Sequence, residues 1–224
     1  MKTFILLAGA WLAGSAAAHA EISVGARYGA GLSLVYFTPY QSQAALLAPV
    51  NAALAFRYCD EDVPGAYGFE RYMNILVEFG YAERGYKMQA NPIATSDTAA
   101  DMVTRKSRVL ELPFVMQARI PVYRNFNFLL SGIVYGAYYL SNTQTYEVGG
   151  IVKTSTFRYN HFRGFEYGVG GGLGFSLSVG RNDFALDARY TASMSSLYNP
   201  SIDLYESMPM QLIISFSVMH KIGK

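Results

Sequence analysis

The sequence predicts an all-β protein: an eight-stranded antiparallel up-and-down transmembrane β-barrel. Three observations predict it. The first is a long segment with a strict period of two. The second is the return of that period in seven further segments. The third is an N-terminal stretch of export type. In Ile22–Phe37 the even positions are Ile22, Val24, Ala26, Tyr28, Ala30, Leu32, Leu34 and Tyr36, and the odd ones are Ser23, Gly25, Arg27, Gly29, Gly31 and Ser33. Side chains of a strand alternate between faces, so one face is apolar and the other polar or bare. The apolar face runs for about fifteen residues, against about five or six in an ordinary strand and about nine to eleven in a membrane-crossing one.

Met1–Ala20 has Lys2 at its start, an apolar run Phe4–Ala13, and the small-x-small ending Ala18-His19-Ala20. That is the pattern of a Sec signal peptide. The alternative is a membrane helix, but the run is shorter than the about 18 apolar residues a span needs. No cysteine follows for a lipoprotein anchor. Residues 1–20 are therefore expected to be removed and 21–224 to form a single barrel domain in the outer membrane.

The second strand is expected over Ala48–Tyr58, with Val50, Ala52, Leu54, Phe56 and Tyr58 on one face and Asn51, Ala53, Ala55 and Arg57 on the other. The third, Tyr72–Met88, directs Met73, Ile75, Val77, Phe79 and Tyr81 outward and Asn74, Glu78, Gly80 and Arg84 inward. The fourth, Arg108–Ile120, sets Leu110, Leu112, Phe114, Met116, Ala118 and Ile120 against Glu111, Gln117 and Arg119. The fifth, Phe126–Leu140, alternates least cleanly. Its outward set is Phe126, Phe128, Leu130, Val134 and Tyr138, opposed by Leu129, Ile133, Tyr135 and Tyr139.

The sixth, Phe165–Val179, sets Phe165, Tyr167, Val169, Leu173, Phe175, Leu177 and Val179 against Glu166, glycines and serines. Those glycines are expected to make room for bulky partners or to allow bending. The seventh, Phe184–Met194, sets Phe184, Leu186, Ala188, Tyr190 and Met194 against Asp187, Arg189, Thr191 and Ser193. The last, Met210–Ile222, sets Met210, Leu212, Ile214, Phe216 and Val218 against Gln211, Ser215 and Ser217. A soluble sandwich or periplasmic barrel also alternates. Strand length, the number of strands and the export segment together favour the membrane barrel.

With a periplasmic N-terminus, the outer loops are Thr38–Leu47, Gln89–Ser107, Ser141–Gly164 and Ser195–Pro209. The inner connections are Cys59–Arg71, Pro121–Asn125 and Gly180–Asp183. Long outer loops and short inner turns are usual in such barrels. Cys59–Arg71 is longer than a simple turn.

The inward face carries the charges: Arg27, Arg57, Arg84, Arg119 and Arg189, with Glu78, Glu111, Glu166 and Asp187, and Glu21 near the periplasmic mouth. Eight strands leave an interior just wide enough for side chains. Charges there are tolerable only when paired and hydrogen-bonded. These residues are therefore expected to form a structural charge network that braces and plugs the lumen. The alternative assigns them to an ion pathway or to catalysis.

Other chemistry is sparse. Removal of the export segment leaves His161 and His220 as the only histidines; Ser155, Glu147 and His161 share an outer loop without a specific spacing. No metal-ligand spacing, P-loop or dinucleotide fingerprint occurs, so no cofactor is expected. The single cysteine, Cys59, precedes Asp60, Glu61 and Asp62, an acidic setting that disfavours a thiolate. It reads as an inert loop residue. The net charge of +2, about +1 without Lys2, is no footprint for nucleic acid. Aromatic residues make up 15% of the chain and tyrosine leads them, which suits interfacial girdles.

Two pairs of segments carry a family resemblance. Ile75–Gly85, ILVEFGYAERG, and Leu110–Phe114, LELPF, resemble the E-x-x-Y-x-x-x-G and L-E-[IL]-P segments of the PorT-like outer-membrane β-barrel family, whose members are often described only as porin family proteins. Gly168–Gly174, followed by Leu186-Asp187-Ala188-Arg189-Tyr190, is similar to that family's Gly-rich strand and D-x-R-Y segment. The resemblance implies an eight-stranded barrel; some relatives serve in secretion machinery. The chain departs from barrels with a terminal aromatic by ending Lys221-Ile222-Gly223-Lys224, with Phe216 and Val218 as the substitutes inside the last strand. The expected partners are outer-membrane lipid, the barrel-assembly machinery and an envelope protein, and not nucleic acid. The leading role is structural or interactive. A small pore is the alternative, and an outer-membrane enzyme is disfavoured by the thin catalytic set.

Overall fold

A computed structural model describes residues 21–38, 43–59, 72–88, 102–148, 151–156, 164–197 and 206–222. They form β1 (Glu21–Thr38), β2 (Gln43–Cys59), β3 (Met73–Met88), β4 (Met102–Tyr123), β5 (Phe126–Val148), β6 (Ile151–Thr156), β7 (Phe165–Val179), β8 (Asn182–Ser193) and β9 (Glu206–Lys221). Eight of these close a ring in the order β1-β2-β3-β4-β5-β7-β8-β9, and β9 pairs back onto β1. Every pairing is antiparallel. A closed ring leaves no edge within a bilayer, which lipid requires.

The ring matches the expected count of eight. The ninth strand, β6, is additional. It folds back on the far end of β5, with Thr143 opposite Thr156 and Val148 opposite Ile151. This hairpin lies inside the expected outer loop Ser141–Gly164. It was missed because TQTYEV and IVKTST lack the apolar alternation that marks a spanning strand. β2 and β4 likewise start earlier than expected, at Gln43 and Met102, so several strands extend past the apolar belt.

The outward faces agree with the alternation. Leu54, Phe79, Leu112, Val134, Leu173, Leu186 and Ile214 are all exposed. A soluble protein rarely shows so wide a continuous apolar surface. Outward aromatics stack across strands, as Phe126 does on Phe175 with ring centroids 5.4 Å apart. In β2 the alternation breaks at Pro49. Leu46 and Ala48 are buried before the break and Asn51, Ala53, Ala55 and Arg57 after it. Proline cannot donate to a ladder, so the register shifts there on both sides. The Tyr28 hydroxyl donates to the Pro49 carbonyl at 3.0 Å.

The short turns also tighten. β4 and β5 are joined by Arg124 and Asn125, with Arg124 at φ 40; β7 and β8 are joined by Gly180 and Arg181, with Gly180 at φ 61. Cys59 was expected in a loop. It is instead the last residue of β2 and is buried inside the mouth, because β2 runs one residue past Tyr58 with its parity intact. Residues 1–20, with the expected export segment, lie outside the described residues, as do Asp60–Asp62 and His161.

Leu173 and Phe175 sit outward on the middle of β7, and Ser176 sits inward beside a small cavity. Leu173→Arg or Phe175→Arg should each cost about 2–4 kcal/mol, as a charge on the lipid face does. Ser176→Thr should change stability little. Urea unfolding in detergent micelles checks both, and equal tolerance would reverse the face assignment.

Candidate functional site

The site is the lumen, because the inward parity gathers nearly all of the buried charge. It falls into three tiers. At the short-turn end, Asp183 on β8 accepts from Arg119 on β4 through Nη1 at 2.9 Å and Nη2 at 2.8 Å, and also from Arg57 on β2. Arg119 further donates to the Ser178 hydroxyl at 2.6 Å, and Arg57 to the Ser23 hydroxyl at 3.0 Å. Glu21 joins this tier, 2.9 Å from Lys221 Nζ and 3.7 Å from Arg57.

In the middle tier, Glu78 on β3 is held by two arginines. Arg27 Nε donates at 3.0 Å, and Arg189 Nη1 donates to both carboxylate oxygens at 2.9 and 3.0 Å. Arg189 also donates to Asp187 at 2.6 Å, and the Ser215 hydroxyl donates to the same carboxylate at 3.0 Å. β3 and β8 stand four places apart in the ring of eight, so the Arg189–Glu78 bridge joins opposite walls. All four charged groups are buried.

In the outer tier, Arg84 on β3 pairs with Glu111 on β4 and with Glu166 on β7. Glu166 also accepts from the Tyr135 hydroxyl at 2.7 Å and from that of Tyr139. The Arg84 guanidinium lies 5.2 Å from the Tyr135 ring centroid. Above it lies an apolar cluster on the lumen face, with Val35, Phe37, Tyr86, Val109, Tyr135, Tyr139 and Leu197 among its members. Here Arg105 donates to the Tyr86 hydroxyl at 2.7 Å and to Gln144 at 3.0 Å.

The structure thus brings together each charged residue expected on the lumen face: Arg27, Arg57, Glu78, Arg84, Glu111, Arg119, Glu166, Asp187 and Arg189. Sequence reasoning missed Asp183 and Lys221. Asp183 falls in the expected turn Gly180–Asp183, yet its odd parity with Asp187 and Arg189 puts it on the inward face of β8. It also missed Tyr135 and Tyr139 as hydrogen-bonding partners, although their parity opposes the outward set. The apolar inward face of β5 is what blurs its alternation.

Among the glycines of β7, Gly168 makes room for a residue of the site. A Cβ on Gly168 would stand 2.7 Å from the Tyr135 hydroxyl and ring and 2.3 Å from the Ala192 carbonyl oxygen. Only a bare position lets Tyr135 reach Glu166. Between the lower and middle tiers, a cavity of about 20 Å3 is lined by Arg57, Glu78, Gln117, Asp183, Asp187 and Arg189.

Other candidate chemistry does not assemble. Glu147 and Ser155 lie on opposite faces of the β5–β6 hairpin, since Ser155 pairs with the inward Gln144. His220 is exposed and its Nδ1 lies 2.8 Å from the Asn182 side-chain oxygen. Among the described residues, no group of three or more His, Cys, Asp or Glu side chains is placed to hold a metal ion.

A closed ring with an apolar exterior and a charged interior defines an integral outer-membrane β-barrel. The chain belongs to the outer membrane protein β-barrel domain family, whose model matches residues 62–199. Several solved structures are similar. Neisserial surface protein A shares 11% identity over 92% of this chain and 98% of its own, with a TM-score of 0.45. The attachment invasion locus protein Ail of Yersinia pestis, solved with the heparin analogue sucrose octasulfate, shares 14% over 88% and 99%, at 0.41. OprG from Pseudomonas aeruginosa shares 9% over 91% and 96%, at 0.48. No curated protein sequence matches the chain.

Arg189 contacts two buried carboxylates; its removal leaves Asp187 with the Ser215 hydroxyl and no cation, and Glu78 with Arg27 alone. Arg189→Ala should cost about 3–5 kcal/mol, less where water enters the gap. Adding Asp187→Ala should recover part of that loss, and a double-mutant cycle in urea would measure the coupling. Gly168→Ala should cost about 1–3 kcal/mol by crowding Tyr135 and the β8 backbone, read from the same unfolding curves.

Proposed function

We propose that this chain is a structural or interaction protein of the outer membrane with a closed, ion-braced lumen. It is not a pore and not an enzyme. The observation that carries this reading is the Arg189–Glu78 bridge between opposite walls, with Arg27 on the same carboxylate. A water file would have to pass that bridge, the outer Arg84 cluster and the apolar residues above it. The cavity between the lower tiers, about 20 Å3, has room for about one water molecule.

Export by a Sec signal in residues 1–20, cleavage before Glu21 and insertion by the barrel-assembly machinery complete the reading. Its PorT-like segments, ILVEFGYAERG, LELPF and LDARY, point to a role beside an envelope complex. The β5–β6 hairpin offers exposed surface for such a partner, since every residue of β6 is exposed.

Purified protein in planar bilayers should show little conductance. A stable ohmic channel would overturn the closed lumen and establish the pore reading in its place. Mature protein should begin at Glu21 and remain with outer membranes after carbonate extraction; recovery in the soluble periplasm would refute the assignment.

A further inference from the structure

The lipid-facing wall is dented on β1–β3. One row of outward side chains crosses the strands in the order Phe216, Tyr28, Ala52, Tyr81, Leu110. Ala52 stands between two tyrosines. Ala26 lies in the next row toward the short turns, with Leu54 and Phe79. These small side chains leave a groove of about 500 Å3, within the size range of ligand sites. Arg27 also borders it but turns its guanidinium inward to Glu78. Tyr28, on one wall, is held by the hydrogen bond from its hydroxyl to the Pro49 carbonyl. The groove belongs to the apolar outer face, so what enters it from the bilayer is hydrocarbon.

The rows beyond the groove, toward the long loops that lie outside the cell in such barrels, change character. Leu110 closes the groove on β4. Arg108 follows on the same face, about 7 Å along the strand, and Lys106 comes next. Both are exposed, and the Arg108 guanidinium lies 3.7 Å from Glu83. Lys87 stands on β3 opposite Thr104. From Thr104 a row of hydroxyls continues through Thr145 to Thr154, whose Oγ1 atoms are 3.2 Å apart. On this face the cations Lys87, Lys106 and Arg108 outnumber the acids Glu83 and Glu147. The adjoining undescribed segments, 89–101 and 157–163, add Asp97 and Asp101 but also Arg158 and Arg163, so the excess stands.

We infer that the groove and the face beyond it bind a phosphorylated glycolipid of the surrounding outer leaflet. An acyl chain lies over Ala26 and Ala52, a phosphate sits against Arg108 and Lys106, and the sugar rests on the threonine row. Cations at one end of an apolar groove match an amphiphile with an anionic head, and the hydroxyl row favours a sugar in that head. This goes beyond the proposed function and holds whether or not the lumen conducts. It leaves the other face of the β5–β6 hairpin to an envelope partner.

The test is native mass spectrometry of the full mature chain, delipidated in detergent micelles and titrated with three lipids. They are a hexaacyl diglucosamine bisphosphate, the same glycolipid without its phosphates, and phosphatidylglycerol. The bisphosphate should bind saturably, and the other two at least about tenfold more weakly. Arg108→Gln with Lys106→Gln should weaken it by about tenfold or more. The urea midpoint should not move, since the pair with Glu83 is long and exposed. Ala52→Leu, which fills the groove and leaves the lumen face as it is, should weaken the bisphosphate comparably. Absence of saturable binding, a control lipid bound as tightly as the bisphosphate, or full affinity in either variant would each overturn the inference.

Discussion

The carboxylate of Glu78 is the point on which the interior turns. Arg27 reaches it from two strands away and Arg189 from the opposite wall. A lumen only two side chains across forces this meeting, and the meeting in turn restricts what else the lumen can hold. An arginine without an acid there would leave a desolvated charge, which is far more costly than the net gain of any one pair. The bridges therefore act as constraints on the sequence more than as sources of stability. They explain why five inward arginines are matched by acids on the inward faces of other strands.

The outer half of the lumen solves the same problem with different groups. Arg84 faces two carboxylates, Glu111 and Glu166, so cations fall one short there. The hydroxyls of Tyr135 and Tyr139 supply the missing donors to Glu166. Their rings also extend the apolar cluster above. The bare Gly168 is the counterpart of that arrangement, because Tyr135 occupies the space its side chain would take.

Most of this could be read from the period of two. β1, β7 and β9 show clean alternation because one face meets lipid and most of the other is polar or glycine. β5 was blurred because its inward face is apolar as well, so polarity no longer distinguished the two sides. β2 hid its upper segment behind the Pro49 shift, which moves the inward positions by one. β6 escaped because both of its faces are exposed, although the Gly149-Gly150 pair between two β-branched runs is a hairpin signal in its own right. Asp183 shows a different limit. A turn residue and the first inward residue of a strand look alike until the turn length is fixed.

The seam between β1 and β9 sets the order of assembly. Sixteen cross-strand pairs, from Ser23 with Lys221 to Thr38 with Glu206, join the first strand to the last. The Glu21–Lys221 ion pair closes the same seam across a separation of 200 residues. No seam contact can form until the chain is complete. Until then β1 presents an open row of backbone donors and acceptors, a template for pairing with any other strand nearby. Closure over so long a separation is slow compared with hairpin formation. The chain must spend that interval with its first strand shielded, and the lifetime of that open intermediate sets how much of the protein reaches the closed ring.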